Sequence, residues 1–319
     1  MLAAFADRFD ADRPLAGLKV GQRPLPEPLQ GWVRVKVVAA SLNHHDLWSL
    51  KGGEAMRQRG GAGLSEADLP RILGMDAAGV TEDGAEVILH PLIAEPAFGV
   101  LSGRYDGTFA EHVCVPRANL VAKPAALSFE EAACLPTAWL TAWRMLFEKA
   151  RVRAGGAILV QGASGGLSTA LVMLAKAAGL RVYATGRSDA SRAFALSIGA
   201  DAALEMGGRL PERVDAAMDS VGPDTWDHSL KCLKRGGVMV VPGGTTGYRA
   251  SVDIARLFTM DISIVGSAMG SQAQLQELLA FCAARGLRPP VAQVLPLAEA
   301  AAAFAALELG AAGKIVLRP

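Results

Sequence analysis

Polar and apolar residues alternate along Trp32-Val-Arg-Val-Lys-Val-Val, the two-residue period of a strand with one wet face. Glu86-Val-Ile-Leu and Ala110-Glu-His-Val-Cys-Val predict further short strands. Pro24, Pro26 and Pro28 mark a loop ahead of the first, because proline cannot continue a ladder. Up to about Val121 the chain therefore reads as strand-rich, with a glycine-rich segment of mixed charge from Gly52 to Pro70 expected to be a mobile surface loop near a site. At Ser128 the pattern changes: Ser128-Phe-Glu-Glu has the form of a capping box ahead of an Ala-rich helix. Apolar runs follow at Ala157-Ile-Leu-Val, Arg181-Val-Tyr-Ala, Asp201-Ala-Ala-Leu, Val214-Asp-Ala-Ala-Met and Val238-Met-Val-Val. Helical stretches space them, as in a parallel sheet covered on both faces, so an α/β doubly wound fold is expected here. Beyond Ile262-Ser-Ile-Val the pattern predicts a helix over Gln272 to Ala284, an Ala-rich helix over Leu297 to Leu309 and a closing strand Lys314-Ile-Val-Leu.

Length and charge narrow this picture. A chain of 319 residues exceeds what one hydrophobic core usually serves, so two domains are expected. Apolar residues make up 51% and charged ones 20%, which suits a packed α/β protein. The net charge is +1 and Lys and Arg do not cluster, so neither nucleic acid nor a membrane surface is an expected partner. The start has no basic segment ahead of an apolar stretch, and no later run of about 18 apolar residues would span a bilayer. A cytoplasmic location is the expectation. Cys114, Cys134, Cys232 and Cys282 lie far apart and form no C-x-x-C pair, which argues for buried free thiols over disulfides or structural zinc.

The chemistry concentrates between Ala157 and Ser188. A buried strand runs into Gly162-Ala-Ser-Gly-Gly-Leu-Ser168, and Leu167, Leu171, Leu174 and Ala178 then recur at helical spacing until Gly179. A glycine-rich turn between strand and helix lets backbone amides approach a pyrophosphate, which makes Ala163, Ser164, Gly165, Gly166 and Leu167 candidate dinucleotide contacts. The second strand ends Ala184-Thr-Gly-Arg-Ser188 without the carboxylate that would hold the ribose hydroxyls of NAD. Arg187, Ser188 and Arg192, beside Thr185, instead offer charge and hydrogen bonds to a 2′-phosphate, so NADP(H) is the expected cofactor.

The motifs together carry a resemblance. Ala40-Ser-Leu-Asn-His-His-Asp-Leu-Trp48, Leu73-Gly-Met-Asp-Ala-Ala-Gly-Val80, Leu135-Pro-Thr-Ala-Trp-Leu-Thr-Ala-Trp143, Gln161-Gly-Ala-Ser-Gly-Gly166, Asp219-Ser-Val-Gly222, Pro242-Gly-Gly-Thr-Thr-Gly247 and Val265-Gly-Ser-Ala-Met-Gly270 resemble the medium-chain dehydrogenase/reductase superfamily, in its quinone oxidoreductase branch. The resemblance spans nearly every segment. It implies a GroES-like catalytic domain over residues 1–125 and 267–319, a Rossmann domain over 126–266 with strand order 3-2-1-4-5-6, and an active cleft between them. The zinc enzymes of the superfamily hold metal at positions that fall here on Asn43, Met75-Asp76 and Thr137. One carboxylate remains there, too little for a catalytic site that needs about three N, S or O ligands, so no metal is expected. The structural zinc lobe also lacks its cysteines around Glu95 to Tyr105, and Ser168 replaces the usual third glycine. His44, His45, His90 and Asp46 are not expected to form an ion site, because adjacent histidines diverge on a strand.

Without a Lewis acid, an alkoxide loses its stabilisation, whereas hydride addition to a quinone or α,β-unsaturated carbonyl leaves a delocalised anion that hydrogen bonds can hold. The expected function is an NADPH-dependent, zinc-independent reductase of such small molecules. The alternatives are an alcohol dehydrogenase with an atypical metal site and an NADPH-binding sensor with little turnover. Asn43 reads either as a hydrogen-bonding group for substrate or ribose or as a turn cap. His45 falls at the proton-relay position of the zinc enzymes and reads as a proton donor titrating near neutrality, or as a packed histidine. Asp46 is expected to hold the loop through backbone amides. Thr137 and Thr141 are placed near the nicotinamide, and Ser220, Gly243, Gly244, Thr245 and Thr246 at strand ends where ligands bind. Trp48, Trp139 and Trp143 either shape an acceptor pocket or pack in the core. Ile262-Ser-Ile-Val reads as a sheet edge, through which a homodimer is expected.

Overall fold

A computed structural model describes residues 1–53 and 63–319, so the middle of the loop read between Gly52 and Pro70 lies outside the described residues. The chain forms two compact units, Met1–Thr137 with Ser271–Pro319, and Ala138–Gly270. The sequence reading drew these divisions at 125/126 and 266/267.

In the first unit a three-stranded sheet has the order β2 (Leu18–Gln22), β1 (Leu2–Ala6), β4 (Arg71–Ile72). The larger sheet runs β10 (Leu120–Ala122), β6 (Glu86–Leu89), β5 (Asp76–Thr81), β3 (Trp32–Ser41), β18 (Lys314–Arg318), β17 (Val291–Pro296), and β9 (His112–Pro116) also pairs with β3. A small hairpin joins β7 (Leu92–Ile93) and β8 (Gly99–Val100). The alternation of β3 is real: Lys36 is exposed between buried Val35 and Val37. Past Val37 the register against β5 slips by one residue, and Ala39, Ala40 and Ser41 are all buried. Such a bulge re-aims the strand, and here it leads directly into Leu42 and Asn43. β5 is built of small residues because β3 passes close; a Cβ on Gly79 would stand 2.2 Å from the Lys36 carbonyl oxygen. Ser128 caps the helix Phe129–Ala133 as expected, accepting from the Glu131 amide at 3.1 Å, and that helix packs on β3 and β5. Phe109 and Phe304 meet edge to face at 6.0 Å in the core.

The second unit is a six-stranded parallel sheet in the order β13 (Ala202–Leu204), β12 (Arg181–Thr185), β11 (Ala157–Val160), β14 (Val214–Met218), β15 (Leu233–Val241), β16 (Ser263–Gly266). This is the 3-2-1-4-5-6 order the resemblance implied. Every residue of β11 is fully buried, as a strand covered on both faces must be. The strand order reverses between β11 and β14, so a crevice opens outside their carboxyl ends, where such sheets bind ligands. No helix among the described residues is long and apolar enough to cross a membrane. All four cysteines are free, and burial pushes the thiols of Cys134 and Cys282 up to about 12.

Candidate functional site

At the reversal point, Gly162 takes φ +77°, a conformation that suits glycine, and turns the chain out of β11. Ala163 is buried and its amide donates to the Thr185 carbonyl at 2.7 Å, which ties the turn to β12 and leaves that amide unavailable to a ligand. Gly165 is the extended N-cap of the helix Gly166–Ala177, whose first-turn amides, beginning at Gly166, Leu167 and Ser168, lack carbonyls of their own. A Cβ on Gly165 would meet no atom within 4 Å, so this helix start faces open space of the kind a pyrophosphate fills. Ser168, in the third glycine position, is buried and donates from Oγ to the Gln161 carbonyl at 3.2 Å, so close packing survives the substitution.

Around the tip of β12 the residues separate. Arg187 is exposed and has no ion pair among the described residues, whereas Ser188 caps the helix Asp189–Ser197, accepting from the Ser191 amide at 3.2 Å. Arg192, expected beside Arg187 as a phosphate contact, pairs with Asp189, lies 3.8 Å from Glu205 and donates to the Gly186 carbonyl at 3.0 Å. Thr185 is buried, with its hydroxyl on the Gln161 side-chain oxygen. Gln161 also reaches His228 at 2.9 Å and Ser229 at 3.0 Å, a buried network the sequence reading missed because Gln161 looked like the plain end of a strand. Asp219 is buried, and its carboxylate accepts from the Val221 and Gly222 amides and from Thr225 and Ser229. The Gly243 to Thr246 turn is strapped to the Asp219-Ser-Val-Gly222 turn, Thr245 donating to the Ser220 carbonyl at 3.1 Å and Thr246 to that of Val221 at 2.8 Å. A Cβ on Gly244 would stand 2.2 Å from the Gly247 carbonyl oxygen, so that glycine is required by the turn. Thr141 is buried in the helix Leu140–Trp143, Trp139 is wholly buried, and Trp143 packs on Phe147 at 4.3 Å. Trp48 is half-buried on the helix His44–Leu50 in the first unit.

In the first unit a second cluster gathers around Asp76. Its carboxylate is fully buried and accepts from Thr137 Oγ1 at 2.5 Å, Asn43 Nδ2 at 2.9 Å and Ser41 Oγ at 3.2 Å. The Lys314 ammonium enters the same cluster, 3.6 Å from Asp76 Oδ2, and donates to Asn43 Oδ1 at 2.7 Å and to the Leu42 carbonyl at 2.6 Å. Lys314 is only 4% exposed. Sequence reasoning missed it, since it sits in the apolar closing strand far along the chain from Asn43. Of the positions that the resemblance aligns with zinc ligands, Asn43, Asp76 and Thr137 therefore do meet, at the Asp76 carboxylate, which is also paired with Lys314.

That donor set does not fit zinc. An amide, a hydroxyl and one carboxylate already paired with a cation replace the thiolate and imidazole ligands that zinc prefers. Among the described residues no group of three or more His, Cys, Asp or Glu is placed to hold a metal ion. His44, His45 and Asp46 lie on a helix, not a strand as the sequence argument assumed. Asp46 accepts from the Asn43 amide at 2.8 Å and the Gly74 amide at 3.2 Å, holding the loop as expected. Burial, and then the nearby Asp76 charge, push its carboxyl up to about 7 against those hydrogen bonds. The expectation that His45 titrates near neutrality is corrected: its Nδ1 is buried without a hydrogen bond among the described residues, and burial pushes the imidazole down to about 4.

Comparison with known proteins agrees with the fold of the two units. Residues 29–125 match the Alcohol dehydrogenase GroES-like domain family and residues 166–284 the Zinc-binding dehydrogenase family. A zinc-type alcohol dehydrogenase-like protein of Schizosaccharomyces pombe is 30% identical, covering 90% of either chain. The 2-methylene-furan-3-one reductase of Solanum lycopersicum is 30% identical over 92% of this chain and 74% of its own. A crystal structure of an NAD-dependent alcohol dehydrogenase superposes with a TM-score of 0.89 at 33% identity, covering 100% of both chains.

Proposed function

The chain belongs to the medium-chain dehydrogenase/reductase superfamily, and from that premise we propose that it is an NADPH-dependent, zinc-independent reductase of a quinone or an α,β-unsaturated carbonyl. One observation carries the reading: at the positions that the resemblance aligns with zinc ligands, Met75 offers no imidazole, and Asn43 and Thr137 give hydrogen bonds to an Asp76 carboxylate already paired with Lys314. An acceptor that spreads the incoming charge over a conjugated system needs hydrogen-bond donors, not a Lewis acid. The Solanum lycopersicum relative is named for a substrate of that kind.

NADPH, when bound, supplies the hydride. The amides from Ser164 through Leu167 would face the pyrophosphate, Arg187 and Ser188 the 2′-phosphate, and Thr141, Ser220, Gly243, Gly244 and Thr245 would line the cofactor path. Arg192, already neutralised by Asp189, contributes less than Arg187. Asn43 gives one Nδ2 N–H to Asp76 and accepts from Lys314 on Oδ1, and its second N–H is the donor we assign to the substrate oxygen. Thr137 gives its proton to Asp76 and so meets a ligand as an acceptor. His45, neutral above about pH 4, would relay a proton from solvent instead of storing one. We also infer a homodimer across β16, which pairs only with β15 among the described residues.

The reading is tested by following NADPH oxidation with a panel of quinones and enones after dialysis against a chelator. Steady turnover is expected; activity confined to NAD⁺ or NADP⁺ reduction by an alcohol with added zinc would overturn it. The cofactor is tested separately, because the NAD-dependent structural neighbour keeps the opposite preference in view. Arg187→Ala should raise the NADPH dissociation constant about tenfold and leave that of NADH unchanged, since a charge-assisted hydrogen bond contributes roughly 1.5 kcal/mol or more. Equal constants for NADH and NADPH in the wild type would remove the proposal.

A further inference from the structure

We propose that the amino ends of β11, β14 and β15 form a second ligand site, an arginine-lined pocket for a small molecule that carries two or more phosphates. The pocket lies within the second unit, at the end of the sheet opposite the Gly162, Ser220 and Gly243 turns. It stands whether or not the chain reduces enones.

Two glycine turns form its walls. The first, Arg153 to Gly156, is closed by the Gly156 amide donating to the Arg153 carbonyl at 2.9 Å, with Gly155 at φ +83°. In the second, Lys234 to Gly237, the ladder between β14 and β15 shifts register and Gly236 takes φ +75°. A Cβ on Gly236 would meet no atom within 4 Å, so the backbone there opens on space. The cavity between the turns is about 340 Å³, the size of a small-molecule site. Its charge is one-sided. Arg151, Arg153, Lys234 and Arg235 line it against the carboxylate of Asp215, in a chain whose net charge is only +1. Lys234 neutralises that carboxylate at 2.9 and 3.0 Å, and Asp215 also accepts from the Ala157 amide at 2.7 Å. The preceding acid along the chain, Glu212, is taken by Arg181 at 2.6 Å and Tyr183 at 2.8 Å. Arg151, Arg153 and Arg235 therefore have no ion pair among the described residues. Other cations at this end of the sheet serve the fold: Arg213 and Arg256 both donate to the Lys231 carbonyl, where the helix Pro223–Cys232 ends. Arg151 is held at φ +52° where the helical segment Arg144–Ala150 ends, a place that glycine fills without strain, and its Nε is fixed on the Glu148 carbonyl at 2.8 Å. Guanidinium forks take phosphate oxygens in pairs, and three of them around one small cavity match a ligand with more than one phosphate.

Inorganic triphosphate is the probe, titrated by calorimetry at constant ionic strength into wild type with and without saturating NADPH. A saturable site with a dissociation constant below about 1 mM should persist in the presence of NADPH. It should raise the unfolding midpoint by about 2 °C or more, because a ligand that prefers the folded state shifts the transition. Arg153→Gln with Arg235→Gln should weaken this binding about tenfold or more; both side chains are exposed, so the double variant keeps its fold while charge-assisted contacts are lost. Arg187→Ala, at the other end of the sheet, should leave it unchanged, whichever nicotinamide cofactor the protein prefers. Displacement of triphosphate by NADPH, or loss in Arg187→Ala with the double variant unaffected, would overturn the site by moving the ligand to the cofactor crevice. A heat that follows ionic strength without saturating would overturn it as well. Tighter binding of citrate, or of a single-stranded oligonucleotide at equal phosphate concentration, would overturn the assignment to a small polyphosphate.

Discussion

At His45 and Asp46, neighbours on one helical turn, burial acts in opposite directions on an imidazole and a carboxyl. His45 sits at about 4 in the folded chain, below its ordinary value of 6.5, so between these values the unfolded state binds more protons and stability falls as pH falls. Asp46 sits at about 7, above its ordinary 3.8, so over that range the folded state binds more protons and stability falls as pH rises. The two slopes nearly cancel in wild type. His45→Gln leaves Asp46 alone, and the variant should gain on wild type by roughly 1–3 kcal/mol between pH 7 and pH 4, the shift at about 1.36 kcal/mol per unit discounted for the part of the ring that reaches solvent. Urea midpoints at the two pH values measure this; a constant difference would contradict the assignment to His45. The backbone-holding role of Asp46 was legible because a short carboxylate in a loop commonly accepts from nearby backbone amides. Lys314 was not, since a lone lysine at the start of an apolar strand reads as a solvated end, and only the pairing of β18 with β3 brings it to Asn43.

Among elements, the glycine-rich turn and the Gly243 to Thr246 turn look alike in sequence and differ in what their glycines do. Gly165 has φ −69° and open space in front, so Gly165→Val should change stability by less than about 0.5 kcal/mol while raising the NADPH dissociation constant at least tenfold. Gly244 has a carbonyl where a Cβ would go, so Gly244→Ala should destabilise by about 1–3 kcal/mol before any question of ligand arises. Thermal unfolding beside fluorescence titration separates the two; a Gly165→Val protein that binds NADPH normally would remove the turn from the cofactor site. Strand identities in the second unit were legible from apolar runs alone, because a strand buried on both faces leaves no alternative pattern. β15 was read short, from Val238, yet it begins at Leu233. Lys234-Arg235-Gly236-Gly237 interrupts the apolar run, and the ladder to β14 absorbs the interruption as a register shift. The Ala-rich helix was read from Leu297 but begins at Ala300, after a single separate turn, since alanine's helical preference does not mark a boundary.

For the molecule as a whole, the exposed apolar residues Ile254 and Phe258, each 71% exposed on the helix Ile254–Thr259 that precedes edge strand β16, motivate the proposed homodimer. The mass in solution should be that of two chains, and Ile254→Lys with Phe258→Lys should halve it without unfolding the protein. A monomeric wild type would contradict that. The reaction proposed for the molecule passes hydride from NADPH to a conjugated acceptor without a metal. Its most direct test uses NADPH deuterated at the transferred position, chelator-treated protein and a simple enone, with the product read by NMR. Deuterium on the β-carbon of a saturated ketone is the result expected. Deuterium on a carbinol carbon, or transfer only after zinc is restored, would contradict it.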